Sequence, residues 1–252
     1  MRLSMLSAGL MLIVSVSQAA VTVSGDVANP GPVELPPGGR LLDVISEAVP
    51  NAEGYWLAGA LLRQSLIEEQ TRLKVGVLFD LDVLRRMATL FDRPSRAALA
   101  QRVAEEVRQM PVTGRQVADL DPVALEVGFA RNIRLDDGDR LIYPKRVDEV
   151  EVLGAVAAPC HLPYQPLQEA REYLQGCSIL SDAEADYLWL IQPNGASQRV
   201  GIAHWNRESG HFPVAGSKIL VPLKNDDLDP PLPELNQQLA EFIATQLAEV
   251  VR

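Results

Sequence analysis

Three aspartates in a glycine turn are spaced in a way that could do chemistry. Asp136, Asp137 and Asp139 flank Gly138, and a pair of carboxyl groups is what most glycoside hydrolases use to cleave a sugar chain. The same segment, with basic residues on both sides, is also typical of a polar surface turn. We expect a solvated turn here rather than a catalytic pair.

A second candidate is the segment Ser209-Gly210-His211, which has Glu208 beside it. Serine, histidine and a carboxylate form the triad of many hydrolases, but triad members come together through the fold and are rarely neighbours in sequence. The strand-turn-helix motif that presents a nucleophilic serine is also missing. We therefore predict no catalytic residues and no enzymatic activity.

The pair His204-Trp205 could bind a sugar, because an aromatic face suits the apolar face of a pyranose ring. Trp205 could equally belong to the core, as large aromatic side chains usually do. The sequence leaves both interpretations open and favours the core for Trp205.

The chain has two cysteines, Cys160 and Cys177, and three histidines. Their spacing does not match a metal site, so we expect neither a metal nor another cofactor. In an oxidising compartment an even cysteine count favours a disulfide, and the alternative is two free buried thiols.

Residues 1–19 have the pattern of a secretory signal peptide, with Arg2 ahead of a short apolar run and small residues before an expected cleavage after Ala19. The alternative, a transmembrane anchor, needs about 20 apolar residues, more than this run supplies. The formal net charge of −10 disfavours binding to phosphate backbones, so we expect no nucleic-acid partner.

One phrase occurs twice. Residues 23–31 read VSGDVANPG and residues 152–160 read VLGAVAAPC, and the glycines and prolines align at an offset of 129 residues. The segments at 137–144 and 215–222 also match. The repeat predicts two similar domains, each opening with a β-hairpin followed by a helix.

Between the two copies, apolar spacing predicts helices over 58–66, 78–90 and 94–107, followed by strands near 117, 124–127 and 132–135 before a last strand at 140–143. In the second copy we predict a helix over 166–175 and strands at 187–191, 197–203 and 218–221. A Pro-rich linker then leads to an amphipathic helix, whose apolar side chains are Leu235, Leu239, Phe242, Ile243 and Leu247.

The motifs in the first copy resemble the SLBB type of β-grasp domain. They are V-x-V-x-G-x-V-x-x-P-G at 21–31, L-x-x-G at 35–38 and L-x-D-V-I at 41–45. With PVTGR at 111–115, IQPNG at 191–195 and VGIA at 200–203, the order of motifs is similar to that of the GfcC family of capsule-biosynthesis proteins over essentially the whole mature chain. Cys160 replaces the glycine of the first copy, and the helix of the second copy fits the SLBB pattern poorly.

This resemblance implies an α+β fold of two tandem β-grasp domains, the first with a helical insertion. The expected segments are a signal peptide at 1–19, a first domain at 20–148 with an insertion at about 57–110, a second domain at 149–225, a linker at 226–233 and a terminal helix at 234–252.

The resemblance also implies a periplasmic, non-catalytic accessory of capsule or exopolysaccharide export, with domains similar to those of Wza-type exporters. Its partners would be a bacterial polysaccharide, exporter components, or both. Two other classes stay open: a periplasmic polysaccharide-modifying enzyme, and an export subunit that oligomerises through its terminal helix. That helix could instead dock on its own domain, bind a partner or contact a membrane.

Arg115 is the residue that the resemblance singles out, because it follows the helical insertion where a cleft is expected. A guanidinium can bind a carboxylate or phosphate on an acidic glycan through its planar fork of donors. The structural alternative is a salt bridge to Asp119 or Asp121.

Overall fold

The computed structural model describes residues 19–51, 54–225 and 232–248. The predicted signal peptide, apart from Ala19, lies outside these residues, as do most of the predicted linker and the last four residues of the predicted terminal helix. Ten strands and six α-helices are assigned in the described part of the chain.

Two five-stranded sheets have the same strand order, one in each half of the chain. In both, the first strand pairs antiparallel with the second and parallel with the last, and the remaining two strands follow antiparallel on the far side. The strands of the first sheet, in the order β2-β1-β5-β3-β4, are β1 Ala20–Gly25, β2 Gly31–Glu34, β3 Ala60–Leu62, β4 Arg115–Gln116 and β5 Arg140–Tyr143. Those of the second, in the order β7-β6-β10-β8-β9, are β6 Glu149–Gly154, β7 Cys160–Pro163, β8 Tyr187–Ile191, β9 Ser197–Gly201 and β10 Lys218–Val221.

The repeated glycine has the same physical role in both copies. Gly25 and Gly154 have positive φ angles of 95° and 94°. A Cβ on Gly25 would lie 2.0 Å from the carbonyl oxygen of Tyr143, and one on Gly154 would lie 2.3 Å from that of Val221. Each glycine therefore lets the first strand end against the backbone of the last strand, which no other residue type could do without a shift.

The helices are α1 Leu41–Ala48, α2 Ile67–Leu90, α3 Pro94–Gln109, α4 Pro122–Glu126, α5 Ala170–Tyr173 and α6 Leu235–Ala244. Helix α1 buries Leu41, Val44, Ile45 and Ala48 at helical spacing. With α4 it covers the core of the first sheet.

The pair α2–α3 is inserted between β3 and β4 but packs in the core of the second half. Val77, Leu81 and Leu84 of α2 and Val103 of α3 belong to the same buried cluster as the apolar residues of the second sheet and of α6. The first half of the chain thus supplies part of the other half's core.

Several local predictions were wrong. The apolar run at 58–66 contains strand β3 instead of a helix, since its three residues pair with β5 in the interior of the first sheet. Residues 124–127 belong largely to helix α4 and not to a strand, because Asp121 accepts a hydrogen bond from Val123 N at 2.9 Å and Pro122 follows as the first helical residue.

The predicted strand at 132–135 is reduced to one isolated bridge between Arg40 and Arg134. The predicted helix at 166–175 begins only at Ala170 and ends as a 3₁₀ turn at Leu174–Gly176. Leu167, with φ of 62°, is incompatible with a helix that starts at 166.

The terminal helix ends at Ala244, earlier than predicted. Thr245 N and Gln246 N donate to carbonyls three residues back, and the Thr245 hydroxyl donates to Phe242 O at 2.7 Å. These bonds tighten the last turn and occupy carbonyls that a longer helix would use.

Candidate functional site

The guanidinium of Arg115 lies where three segments of the chain meet. The residue is 5 % exposed. Its Nη1 donates to Gln246 O at 2.9 Å, and its Nη2 donates to Gly59 O at 3.2 Å and to Pro193 O. These carbonyls belong to the first half, to the β8–β9 turn and to the residues after α6. Arg115 is thus bonded to backbone oxygens rather than to Asp119 or Asp121.

The neighbouring motif residues support this junction. Thr113 Oγ1 donates to Thr245 O at 2.8 Å, and Gln70 bridges Gly114 N and Arg115 O through its side-chain amide. A Cβ at Gly195 would lie 3.4 Å from Arg115 Nε, so the glycine of the β8–β9 turn leaves room for the guanidinium. The TGR and PNG motifs are therefore two sides of one contact.

Burial lowers the pKa of the Arg115 guanidinium to about 10. At neutral pH the side chain remains charged, and its charge faces carbonyl dipoles. The three carbonyls that Arg115 binds would be left without this donor if the side chain were removed. A buried carbonyl without a donor costs free energy, so these hydrogen bonds stabilise the junction.

A groove of about 850 Å³ lies beside this junction. Its floor is the face of the second sheet that Glu149, Glu151 and Leu153 share along β6. In the strand register, Glu151 lies between His161 of β7 and Lys218 of β10. The volume is within the usual range of ligand pockets, roughly 300–1,000 Å³.

Segments from both halves of the chain form the walls of the groove. One part of the wall is Gln109, the last residue of helix α3, with Met110 and Pro111. Another part is formed by Ile243, Gln246, Leu247 and Ala248. The two parts are in contact, because Gln246 Nε2 donates to Pro111 O at 3.1 Å. Val147 of the connection between the two sheets completes the wall. The groove exists only because the inserted helix pair packs on the second sheet.

The charged side chains on the floor form two pairs. Lys218 Nζ pairs with Glu151, and both side chains are largely buried. His161 Nδ1 lies 3.5 Å from Glu149, in a contact that carries charge on both sides only when the imidazole is protonated. The groove thus presents acceptor oxygens more than free cations.

Sequence reasoning missed this groove. The alternation of Glu149 and Glu151 with Val150 and Val152 was visible, but alternation of this kind is also typical of a solvent face. The alternation could not indicate that residues 109–111 and 243–248 lie over these carboxylates in the fold.

His204 and Trp205 lie at the other end of strand β9 from Arg115, in the loop before β10. Trp205 is 76 % exposed, so the expectation that it would pack in the core was wrong. The structure does not bring this pair together with Arg115, which contacts the turn at the opposite end of the β8–β9 hairpin.

The aspartates of the turn at 136–139 bind other parts of the first half of the chain. Arg63 pairs with Asp136 and, at 3.3 Å, with Asp139, while Asp137 accepts a hydrogen bond from Ala20 N at 2.8 Å. Asp139 is buried rather than solvated, and burial raises the pKa of its carboxyl. In the candidate triad of Glu208, Ser209 and His211, His211 Nε2 lies 3.1 Å from a carboxylate oxygen of Glu208. Ser209 is exposed.

Cys160 and Cys177 form the predicted disulfide. It joins Cys160, at the start of β7, to Cys177, directly after the 3₁₀ turn that follows α5. The residue of the first copy that corresponds to Cys160 is Gly31. Across the described ranges, no three His, Cys, Asp or Glu side chains gather as a metal ion would require.

The apolar face of the terminal helix is covered by this chain. Leu235, Leu239, Phe242 and Ile243 are buried against α2 and the second sheet, and Leu247 lines the groove beyond the helix end. Asn236 fixes the helix through bonds of 2.9 and 2.8 Å to the backbone of Leu223. In the part of the chain that the structure describes, no helix is long and apolar enough to cross a membrane.

Comparison with known proteins identifies relatives over most of the chain. It is 25 % identical over 212 residues to the Uncharacterized protein YjbG of Escherichia coli K12, covering 83 % of each protein. It is also 25 % identical over 198 residues to the Polysialic acid transport protein KpsD of Escherichia coli. That match covers 77 % of this chain but 35 % of KpsD, so the chain spans about a third of that relative.

Two family models match in tandem. The model described as Capsule biosynthesis GfcC, N-terminal, matches residues 17–144, and the one described as Capsule biosynthesis GfcC C-terminal matches residues 158–248. Arg115 lies in the first match, and the Pro193 turn and the segment after α6 lie in the second. The chain belongs to the GfcC family of capsule-biosynthesis proteins.

Proposed function

We propose that this protein is a non-catalytic periplasmic accessory of capsule or exopolysaccharide assembly and export, which contacts the polysaccharide, the exporter, or both. The observation that carries the proposal is the match to both GfcC models over nearly all of the described chain. The similarity to a protein named for polysialic acid transport supports an export role.

The shared strand order of the two sheets supports assigning both to the β-grasp class of the SLBB type. Each half has a hairpin, a parallel pairing of the first and last strands, and a helix after the hairpin. The disulfide supports the periplasm, because disulfides persist in oxidising compartments.

A non-catalytic role is supported by how the acidic candidates are used. The turn carboxylates of Asp136, Asp137 and Asp139 bind a backbone amide or Arg63, and Glu151 pairs with Lys218. Groups engaged in this way hold the fold together and are poorly placed to exchange protons with a substrate.

We place the polysaccharide contact in the groove over β6, β7 and β10. Its floor offers carboxylates, an imidazole and an ammonium, and its walls offer apolar side chains from Met110, Pro111 and Leu247. A sugar presents hydroxyl groups at its edge and C–H groups on its faces, and this combination suits a groove with both kinds of surface. The exposed Trp205, with His204, is a separate candidate contact.

Deleting the gene in a strain that makes the polymer, and restoring it on a plasmid, tests the export role. We expect less polymer at the cell surface without the protein and recovery with it. Crosslinking and pull-down of the mature protein from the same envelopes should recover exporter components or polymer. Unchanged surface polymer together with recovery of neither would refute the proposal.

A further inference from the structure

We propose that the groove accepts stretches of glycan that carry no acidic groups and discriminates against carboxylated or phosphorylated ones. This inference rests on the proposed function, since it names the class of polymer that the groove would contact. It follows from how the charges around the groove are paired.

Three cations at or beside the groove are already engaged. Lys218 pairs with Glu151 on the floor. Lys74 donates to Arg108 O at 2.9 Å and to Met110 O at 2.6 Å at the end of α3. Arg115 donates to Gln246 O and to two further carbonyls. Lys218 is paired with a carboxylate, whereas Lys74 and Arg115 stay charged and direct their donors at backbone carbonyls. An incoming anion would have to displace these partners to bind any of the three directly.

The anion Glu149, in contrast, is neutralised weakly. Its side chain is 44 % exposed, and its ionic partner is a histidine that is charged only when protonated. An acidic sugar on this floor would bring a second negative charge close to Glu149, and like charges facing each other across an interface disfavour binding.

Uncharged sugars avoid this cost and gain contacts. Their hydroxyls can donate to the oxygens of Glu149 and accept from the amide of Gln109, because a carboxylate only accepts and an amide does both. Amino sugars would add an ammonium beside Glu149. The groove's polar groups therefore match the donors of a neutral or amino-bearing chain better than the acceptors of an acidic one.

Calorimetric titration of the purified mature protein tests this with two probes, a chitin oligosaccharide, which is uncharged, and an oligogalacturonate, which is carboxylated. We expect the wild type to bind the first and not the second. NMR shift perturbations from the chitin oligosaccharide should centre on residues 149–153 and 243–248. Equal or tighter binding of the oligogalacturonate, perturbations elsewhere, or no binding of either probe would overturn the proposal.

The variant Glu149→Lys sharpens the test. Replacing the exposed anion by a cation should raise affinity for the oligogalacturonate by at least about tenfold. Glu47→Lys is the matched control, because Glu47 is exposed on α1 of the first half, and it should leave this affinity unchanged. A gain with both variants, or with neither, would show that the groove does not set the preference.

The two proposals can fail separately. If deletion of the gene lowers surface polymer while the groove prefers the acidic probe, the export role holds and the specificity is wrong. If deletion has no effect on surface polymer, the export role fails whatever the groove binds.

Discussion

At the scale of single residues, Arg115 joins three segments through hydrogen bonds to backbone carbonyls. A cation in such a place is retained because each of its bonds satisfies an oxygen that would otherwise be buried and unpaired. These hydrogen bonds are a structural reason for an arginine at the end of the PVTGR motif, and that reason does not require a ligand.

We predict that Arg115→Ala destabilises the protein by about 3 kcal/mol, because it strands buried carbonyls and leaves a cavity. Chemical denaturation measures this, and Arg131→Ala at an exposed position is the control. Unchanged stability with loss of surface polymer would instead make Arg115 a ligand contact.

Residue types predicted some of these roles and not others. The repeated Gly25 and Gly154 were visible in the sequence, and their positive φ angles explain the repeat. The exposure of Trp205 was not visible, because the same side chain fits a core or a surface and only the path of the loop decides which.

At the scale of secondary-structure elements, Asp182 attaches the helix pair to the second half. Ser95 Oγ donates to one carboxylate oxygen at 2.6 Å and Arg96 Nε to the other at 3.0 Å. Burial favours the neutral form of the acid, yet these hydrogen bonds lower the pKa of Asp182 below its ordinary value.

A lowered pKa means that the folded state prefers the ionised acid. The resulting stability is present above the ordinary aspartate pKa of about 4 and is lost as pH falls through the lower folded value. We predict that Asp182→Asn costs about 2 kcal/mol at neutral pH. Denaturation midpoints measured down to acidic pH should show a shallower acid decline for the variant than for wild type. Parallel declines would contradict this role.

The disulfide is a second interaction that joins secondary-structure elements. It closes a separation of 17 residues, for which the loop-entropy model gives about 3 kcal/mol. We predict that the double variant Cys160→Ser/Cys177→Ser loses about this much, as measured by urea denaturation. Reductant should lower the wild-type midpoint and leave the variant unaffected, and a wild type indifferent to reductant would refute the contribution.

Elements with strong local patterns were predictable. Strands β5, β8 and β10 occur where short apolar runs and flanking turns predicted them, and α3 begins at Pro94 as expected. Strand β3 and helix α4 were not predicted, because three apolar residues fit either structure and a cap at Asp121 overrides a weak alternation.

At the scale of the whole molecule, the first half of the chain has its own core and also supplies part of the core of the second half. Helices α2 and α3 come from the first half and pack on the second sheet with α6. Apolar periodicity predicted that these helices bury a face, but periodicity cannot tell which surface a helix will cover. The groove, which depends on that choice, was beyond prediction for the same reason.

We predict that the protein unfolds in a single transition. Urea curves followed by tryptophan fluorescence and by far-ultraviolet circular dichroism should coincide. A fragment starting at residue 149 should fail to fold, since it lacks the helices that cover its core. Two separate transitions, or a folded fragment, would contradict this dependence of the second core on helices from the first half.

The most direct test of the central claim, that the groove contacts the exported polymer, is photocrosslinking in living cells. A photoreactive amino acid at Gln109, which is exposed at the rim of the groove, is compared with one at Glu47 on the first half. We predict a polymer-linked product from position 109 and none from position 47. Polymer linked equally at both positions, or only at position 47, would contradict the claim.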